Sequence, residues 1–304
     1  MSKFTTAELR GFQQVCTADG AMVAIACDQR GGMRTLLAAD PEAQKAITDA
    51  DLGKVKSDIV QYLGAHASAV LLDPVCAVPG VVQDGTLPRD VALLIGLDAS
   101  GYDTDPSGHR LSRLAKGVGA RQVRELGGTA GKIMVYLRPD RPQANEHNLE
   151  ILRHCIEDFA REDMLLVVEF LTYPLEGEDK TTHAAMMPEL VEGGVRLSLD
   201  CGAKLLKVPF PGTAESCGRI HAMAAGVPWT ILSAGVDHST FLGQVKTAVA
   251  AGAAGVIAGR ALWKDCISLD RSVTRERLTN LALPRLREIH AVVKEGRQAR
   301  KSAA

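Results

Sequence analysis

Ala203-Lys204-Leu205-Leu206-Lys207-Val208-Pro209-Phe210-Pro211 reads as a short apolar strand that carries a lysine near its end and is stopped by two prolines. Alternation along a strand puts Leu205 and Lys207 on one face and Leu206 and Val208 on the other. An ammonium aimed into an apolar interior is desolvated, which draws its pKa down from about 10.4 towards neutrality. A neutral amine of that kind can attack a carbonyl and form a Schiff base. The competing reading is a lysine that snorkels out at the strand end. The segments around it decide between the two.

Seven further short apolar runs occur at 22–27, 69–73, 91–97, 132–137, 165–170, 229–233 and 255–258, with 204–208 as the sixth in order. Amphipathic stretches at 52–63, 112–126, 148–161, 186–199, 213–225 and 239–251 lie between them, the fourth expected to kink near Gly193-Gly194. Strands alternating with helices predict parallel βαβ units, and eight of them fit a closed (β/α)8 TIM barrel. The alternative is an open doubly wound sheet, which usually has fewer strands and a nucleotide-binding turn. The sequence shows neither G-x-G-x-x-G nor a Walker loop in the required context. Residues 1–20 predict an extra helix beneath the barrel, and 271–298 a long helical tail interrupted around Pro284. With no linker or repeat, one domain is expected across 1–304, with the barrel core at about 20–265.

The composition, 46% hydrophobic and 23% charged, is that of an ordinary globular protein. A net charge of −1 and only 4% aromatic residues argue against a nucleic-acid surface or a base-stacking platform. Seven scattered cysteines without a C-x-x-C pair argue against disulfides or a cysteine zinc cluster. The eight histidines show no H-x-H or H-E-x-x-H pattern, so no metal site is expected. The polar first residues and the lack of a long apolar run predict a cytoplasmic protein without a membrane partner.

The predicted strand ends are rich in charge. Cys27-Asp28-Gln29-Arg30 closes the first and Leu72-Asp73-Pro74 the second. Alternation turns Glu169 inward with Val167, and puts Lys132 on one face with Met134 and Tyr136. Taken singly, a strand-end Asp is more often a helix cap or turn residue. Leu232-Ser233-Ala234-Gly235-Val236 and Ala258-Gly259-Arg260-Ala261 follow the seventh and eighth strands. Those two loops form the recurring phosphate site of this barrel, where free N–H groups and a helix dipole favour an anion. Ser233 can add a hydroxyl, Gly235 and Gly259 allow close backbone approach, and Arg260 adds charge. The polar loop 98–110 fits a substrate lid and a merely solvated loop equally well.

In order, Asp28-Gln29-Arg30, Leu71-Leu72-Asp73-Pro74, Gly101-Tyr102-Asp103, Val168-Glu169, Leu206-Lys207-Val208, Leu232-Ser233-Ala234-Gly235-Val236 and Gly259-Arg260-Ala261-Leu262-Trp263 resemble the class I tagatose-1,6-bisphosphate aldolases and their relatives, the sulfofructosephosphate aldolases. The resemblance spans about residues 20–265. It implies Lys207 as the Schiff-base lysine and Glu169 as the acid/base. It also implies Asp28, Gln29 and Lys132 as groups touching substrate or intermediate, and Ser233, Gly235, Gly259 and Arg260 as the phosphate site. Neither metal nor organic cofactor is implied. Lys207-Val208-Pro209 departs from the Lys-Val-Glu pattern of that family, which bears on substrate preference.

The expected reaction is reversible cleavage of a phosphorylated ketose to dihydroxyacetone phosphate and an aldehyde, either glyceraldehyde 3-phosphate or sulfolactaldehyde. Lys132 beside Lys207 would favour the neutral amine by like-charge repulsion. Arg30, Arg34, His109, Arg110 and Arg138 are candidates for a second anion site. The competing functions are a metal-dependent aldolase or isomerase and a non-catalytic sugar-phosphate sensor. A homodimer or homotetramer is expected.

Overall fold

Eight parallel strands close on themselves in the computed structural model, which describes residues 4–303. They are β1 Met22–Ala26, β2 Ala69–Leu72, β3 Ala92–Gly96, β4 Ala130–Tyr136, β5 Leu165–Leu171, β6 Leu206–Val208, β7 Trp229–Leu232 and β8 Gly255–Ala258. Each pairs with its neighbours in sequence order, and β8 returns to β1 with Met22 beside Gly255. Closure leaves no sheet edge, so the (β/α)8 barrel holds and the open sheet does not.

Alternation divides the strand residues into two layers. Met22, Ala24, Ala26, Leu71, Leu94, Ala130, Val167, Leu205 and Ile257 fill the interior. Val23, Ile25, Val70, Ile95, Ile133, Val168, Leu206, Val208 and Ile231 face the surrounding helices. Both faces are buried, which is why the strands read as continuous apolar runs. The helix Thr6–Gln14 carries a Thr5/Glu8 capping box, and Val15, Phe12 and Cys16 at its end pack on the interior layer, closing the lower end as expected.

Two helical expectations change and a third, the interrupted tail, is met. The stretch 112–119 is irregular and only Ala120–Glu125 is helical, because Gly117 takes a left-handed conformation (φ +72°). The helix Met187–Asp200 runs unbroken through Gly193-Gly194. Those glycines serve close packing: a Cβ on Gly194 would lie 2.2 Å from the Phe170 ring, and one on Gly193 2.4 Å from Pro139. The tail is interrupted one turn before Pro284, by a π-helical turn Leu278–Ala282 between Arg271–Arg277 and Leu283–Ala303. The wider turn accommodates a residue that cannot donate to the ladder and whose ring crowds the preceding turn. The predicted strand 204–208 shortens to Leu206–Val208, since Lys204 is held by both oxygens of the buried Glu8 carboxylate at 2.7 and 2.6 Å. Among the described residues no helix is long and apolar enough to cross a membrane.

Candidate active site

At the C-terminal ends of the strands a cavity of about 220 Å³ opens to solvent. It is lined by Asp28, Gln29, Arg30, Lys132, Glu169, Lys207, Ser233, Gly259 and Arg260, nine of the ten residues singled out from sequence. Gly235 lies just behind its neighbour Ala234, which does reach the cavity.

The barrel register brings the charged groups together. Glu169 on β5 is directly opposite Lys207 on β6, and Met134 on β4 is opposite Glu169. Side chains that share a face at adjacent register positions are in contact range. Lys207 Nζ donates to Glu169 Oε2 at 2.9 Å, and Lys132 Nζ lies 2.8 Å from the same oxygen. Lys132 also donates to Asp28 Oδ2 at 3.0 Å and to Asp98 Oδ1 at 2.9 Å. Its three N–H bonds therefore match three carboxylates. The repulsion expected between the two lysines is countered by the carboxylate oxygen that sits between them.

Burial and charge then separate these groups. For Asp28, burial pushes the carboxyl up, but Lys132 and Lys207 together outweigh it and hold its pKa at about 2. For Asp98, burial and the neighbouring Asp28 and Glu169 charges push the pKa up against the pull of Lys132. Burial alone would lower Lys132, yet Asp28, Asp98 and Glu169 raise it well above an ordinary lysine. Lys132 thus rests as a cation and is the organising centre of the site. Two acceptors on the cavity wall, Asp28 Oδ1 and Gln29 Oε1, are buried without a hydrogen-bond partner. Unpaired buried oxygens are costly, so they suit donors such as sugar hydroxyls.

Ser233, Ala234, Gly259 and Arg260 line the cavity together, with Gly235 next to Ala234. Ala234 and Gly235 both take positive φ (46° and 80°), and Lys264 Nζ donates to the Gly235 carbonyl at 2.6 Å. The Arg260 guanidinium lies against Gly235, where a Cβ would come within 3.3 Å of its Cζ. Ser233 Oγ accepts from the Ala261 N–H at 3.4 Å. Together these place a hydroxyl, a tight backbone turn and an exposed arginine around one spot.

The other candidates divide. Arg30 lines the cavity and ties the 98–111 loop to β1, donating to Ser100 Oγ at 3.1 Å and to the Asp98 carbonyl at 3.0 Å. Arg138 is consumed: it is buried and held by Asp140 and Glu178 at 2.8 Å each. Arg34 is held by Asp49 at 2.5 Å, away from the cavity. Arg110 stacks on Tyr102, Tyr136 and Tyr173, with its Cζ 4.4, 5.1 and 4.9 Å from the ring centroids. His109 contacts the Tyr173 hydroxyl at 3.3 Å. These last two anchor the loop, which folds back as a short hairpin through Asp103–Thr104 and Arg110–Leu111. Asp73 proves to be a turn residue, accepting from the Val75 and Cys76 N–H groups and paired with the buried Lys56.

Sequence reading missed Asp98, Ser100 and Gly101 as cavity residues. Asp98 stands one residue beyond the predicted third strand, and that position was a usable signal. Among the described residues no group of three or more His, Cys, Asp or Glu is arranged to hold a metal ion.

Comparison with known proteins identifies the family and the fold. The profile described as "DeoC/LacD family aldolase" matches residues 22–265. Tagatose 1,6-diphosphate aldolase 1 of Streptococcus pyogenes serotype M1 is 27% identical over 285 residues, covering 85% of each chain. Tagatose 1,6-diphosphate aldolase of Staphylococcus aureus (strain bovine RF122 / ET3-1) is 25% identical, covering 97% of each. Among solved structures, an archaeal fructose 1,6-bisphosphate aldolase superposes with a TM-score of 0.65 at 19% identity, covering 94% of this chain and 98% of its own. A Schiff base-forming fructose-1,6-bisphosphate aldolase gives 0.64 at 20% identity, covering 93% and 98%. These two share the fold.

Proposed function

The chain belongs to the DeoC/LacD family of aldolases, carbon–carbon lyases, and from that premise we propose that it cleaves a phosphorylated ketose through a Schiff base on Lys207. The observation that carries this reading is the buried Lys207 amine, 2.9 Å from the Glu169 carboxylate and lining the same cavity as Ser233, Gly259 and Arg260.

In the forward reaction the neutral Lys207 amine adds to the C2 ketone, and loss of water gives an iminium. The C3–C4 bond then breaks, its electron pair flows into the iminium to form an enamine, and the C4 hydroxyl gives up its proton as the aldehyde forms. Glu169 exchanges protons in the dehydration and cleavage steps, being in contact with the reacting nitrogen. Asp28, Gln29 and Lys132 hold the sugar hydroxyls. Protonation at C3 and hydrolysis release dihydroxyacetone phosphate and restore Lys207. Ser233, Gly259 and Arg260 bind the C1 phosphate and so fix the ketone over the amine. Arg30, which also lines the cavity, is the group that meets the distal anion, a phosphate for a ketose bisphosphate or a sulfonate for a sulfosugar phosphate.

Incubation with dihydroxyacetone phosphate, borohydride reduction and peptide mass spectrometry test the mechanism. An adduct on Lys207, lost in Lys207→Ala with an unchanged circular dichroism spectrum, is expected. Turnover retained by Lys207→Ala would sink it, and activity lost to EDTA without trapping would point to a metal-dependent enzyme. Tight phosphate-ligand binding without turnover would point to a sensor. Assay with tagatose 1,6-bisphosphate, fructose 1,6-bisphosphate and 6-deoxy-6-sulfofructose 1-phosphate identifies the distal group.

A further inference from the structure

Schiff-base formation requires Lys207 to shed a proton before it attacks. Its nitrogen donates to the Glu169 carboxylate at 2.9 Å, which is the contact through which a proton can leave. The proton needs an acceptor that is connected to Lys207, buried with it, and not itself held as an anion. Asp28 fails the last condition, being kept ionised by both lysines. Glu169 is bracketed by two ammonium groups at 2.8 and 2.9 Å. Asp98 differs from both. Its carboxylate is paired with Lys132, which Asp28 and Glu169 share, whereas Lys207 adds its charge to the hold on Asp28 and its contact to Glu169. Two negative charges across one ammonium make a third the easiest to neutralise.

Given a Schiff base on Lys207, on which this inference rests, we propose that Asp98 takes up the proton that Lys207 must lose, by way of Glu169 and Lys132. The path is a continuous chain of close polar contacts: a hydrogen bond from Lys207 Nζ to Glu169 Oε2 at 2.9 Å, an ion pair of that oxygen with Lys132 Nζ at 2.8 Å, and a hydrogen bond from Lys132 Nζ to Asp98 Oδ1 at 2.9 Å. Lys132 passes a proton to Asp98 Oδ1, Lys207 passes one to the Glu169 carboxylate at Oε2, and Glu169 hands that proton on to the Lys132 nitrogen. One N–H bond at Lys207 breaks and one O–H bond at Asp98 forms. Glu169 and Lys132 end as they began, and the net charge of the site is unchanged. The raised pKa of Asp98 agrees with this direction of transfer.

The other ionisable groups around Asp98 do not compete for the proton. Arg30 touches only its backbone carbonyl, Tyr136 is pushed up by burial, and Cys155 is pushed up to about 12 for the same reason. A site that transfers the proton internally forms its imine at a rate nearly independent of pH through neutrality. A site that must lose the proton to solvent does not.

Asp98→Asn keeps an oxygen for Lys132 and cannot accept a proton. The rate of borohydride-trapped adduct formation on Lys207 is measured against pH for the wild type, D98N and D98E. The wild type should be nearly flat across the neutral range. D98N should fall at least ~10-fold at neutral pH and recover by about tenfold per pH unit, the dependence of a step that first loses one proton. D98E retains a titratable carboxyl and should keep the flat profile, even at a lower rate.

If Asp98 were an ionised bystander, removing its charge would loosen the hold on the Lys207 ammonium and favour trapping at lower pH. That shift, a uniform loss at every pH in D98N, or a sloped profile in D98E would each overturn the proposal. Absence of any adduct in the wild type would refute the Schiff-base reading itself. An adduct whose pH profile ignores residue 98 would refute only the proton route.

Discussion

Lys132→Met removes the cation on which Asp28, Asp98 and Glu169 converge at 3.0, 2.9 and 2.8 Å, while keeping an unbranched stem of similar length in a fully packed position. Breaking a buried ion pair by removing one partner costs about 3–5 kcal/mol, because the remaining charge is left uncompensated. A second route gives a smaller figure. The Asp28 carboxyl is held at about 2 against an ordinary 3.8, which at about 1.4 kcal/mol per unit is about 2.5 kcal/mol. Lys207 supplies part of that hold and survives in the variant, so the expected loss at neutral pH lies at or below the lower end of the first range, about 2–3 kcal/mol.

The pH dependence fixes the sign. A depressed carboxyl contributes stability above its unfolded value, lost as pH falls through the folded value of about 2. Lys132, raised above its unfolded value, contributes fully below that value, and its share is lost only at strongly alkaline pH. In the variant the orphaned carboxyls take up protons as the solution is acidified, so its deficit shrinks. Urea unfolding at neutral pH and at pH about 4 measures both quantities. A deficit below about 1 kcal/mol at neutral pH, or one equal at the two pH values, would refute the view of Lys132 as the centre of the site.

Two further outcomes come from the packing. Gly194→Ala forces a methyl into the Phe170 ring, 2.2 Å from the added carbon, and should lower stability by about 1–3 kcal/mol in urea unfolding; an unchanged midpoint would mean that the helix Met187–Asp200 shifts freely. Arg110→Leu removes a guanidinium stacked on three tyrosines, so amide exchange across 98–111 should quicken by about tenfold while the barrel strands stay protected; unaltered exchange would show that the hairpin does not depend on that stack.

The features that sequence alone revealed are those set by a local period. Alternation is enough to turn Lys207, Glu169 and Lys132 inward, because each sits on a strand whose neighbours two residues away are apolar interior residues. The strand-end acids were harder. Asp28 and Asp73 follow the same kind of apolar run, yet one enters the cavity and the other is captured by Lys56, 17 residues earlier in the chain. Asp98 read as the first residue of a polar loop because its partner Lys132 is 34 residues further on. Arg138 read as a free cation in part for the same reason, since half of its clamp, Glu178, is 40 residues away, while the other half, Asp140, is two residues on. Gly193-Gly194 suggested a kink because the ring and the proline that fill their missing side chains lie on other elements. In every case the misread property belongs at least in part to a distant partner.

β6 is only three residues long, yet it is pinned at both ends. Below it, Lys204 grips the Glu8 carboxylate of the N-terminal helix; above it, Lys207 meets Glu169. The upper pin is dismantled in every catalytic cycle of the proposed reaction, since the nitrogen that makes it becomes an amine, an iminium and an ammonium again. The lower pin involves no atom that changes charge. The first helix therefore acts as a mooring for the nucleophile: its tie to Lys204 holds the strand in register while the bond at the other end is made and broken.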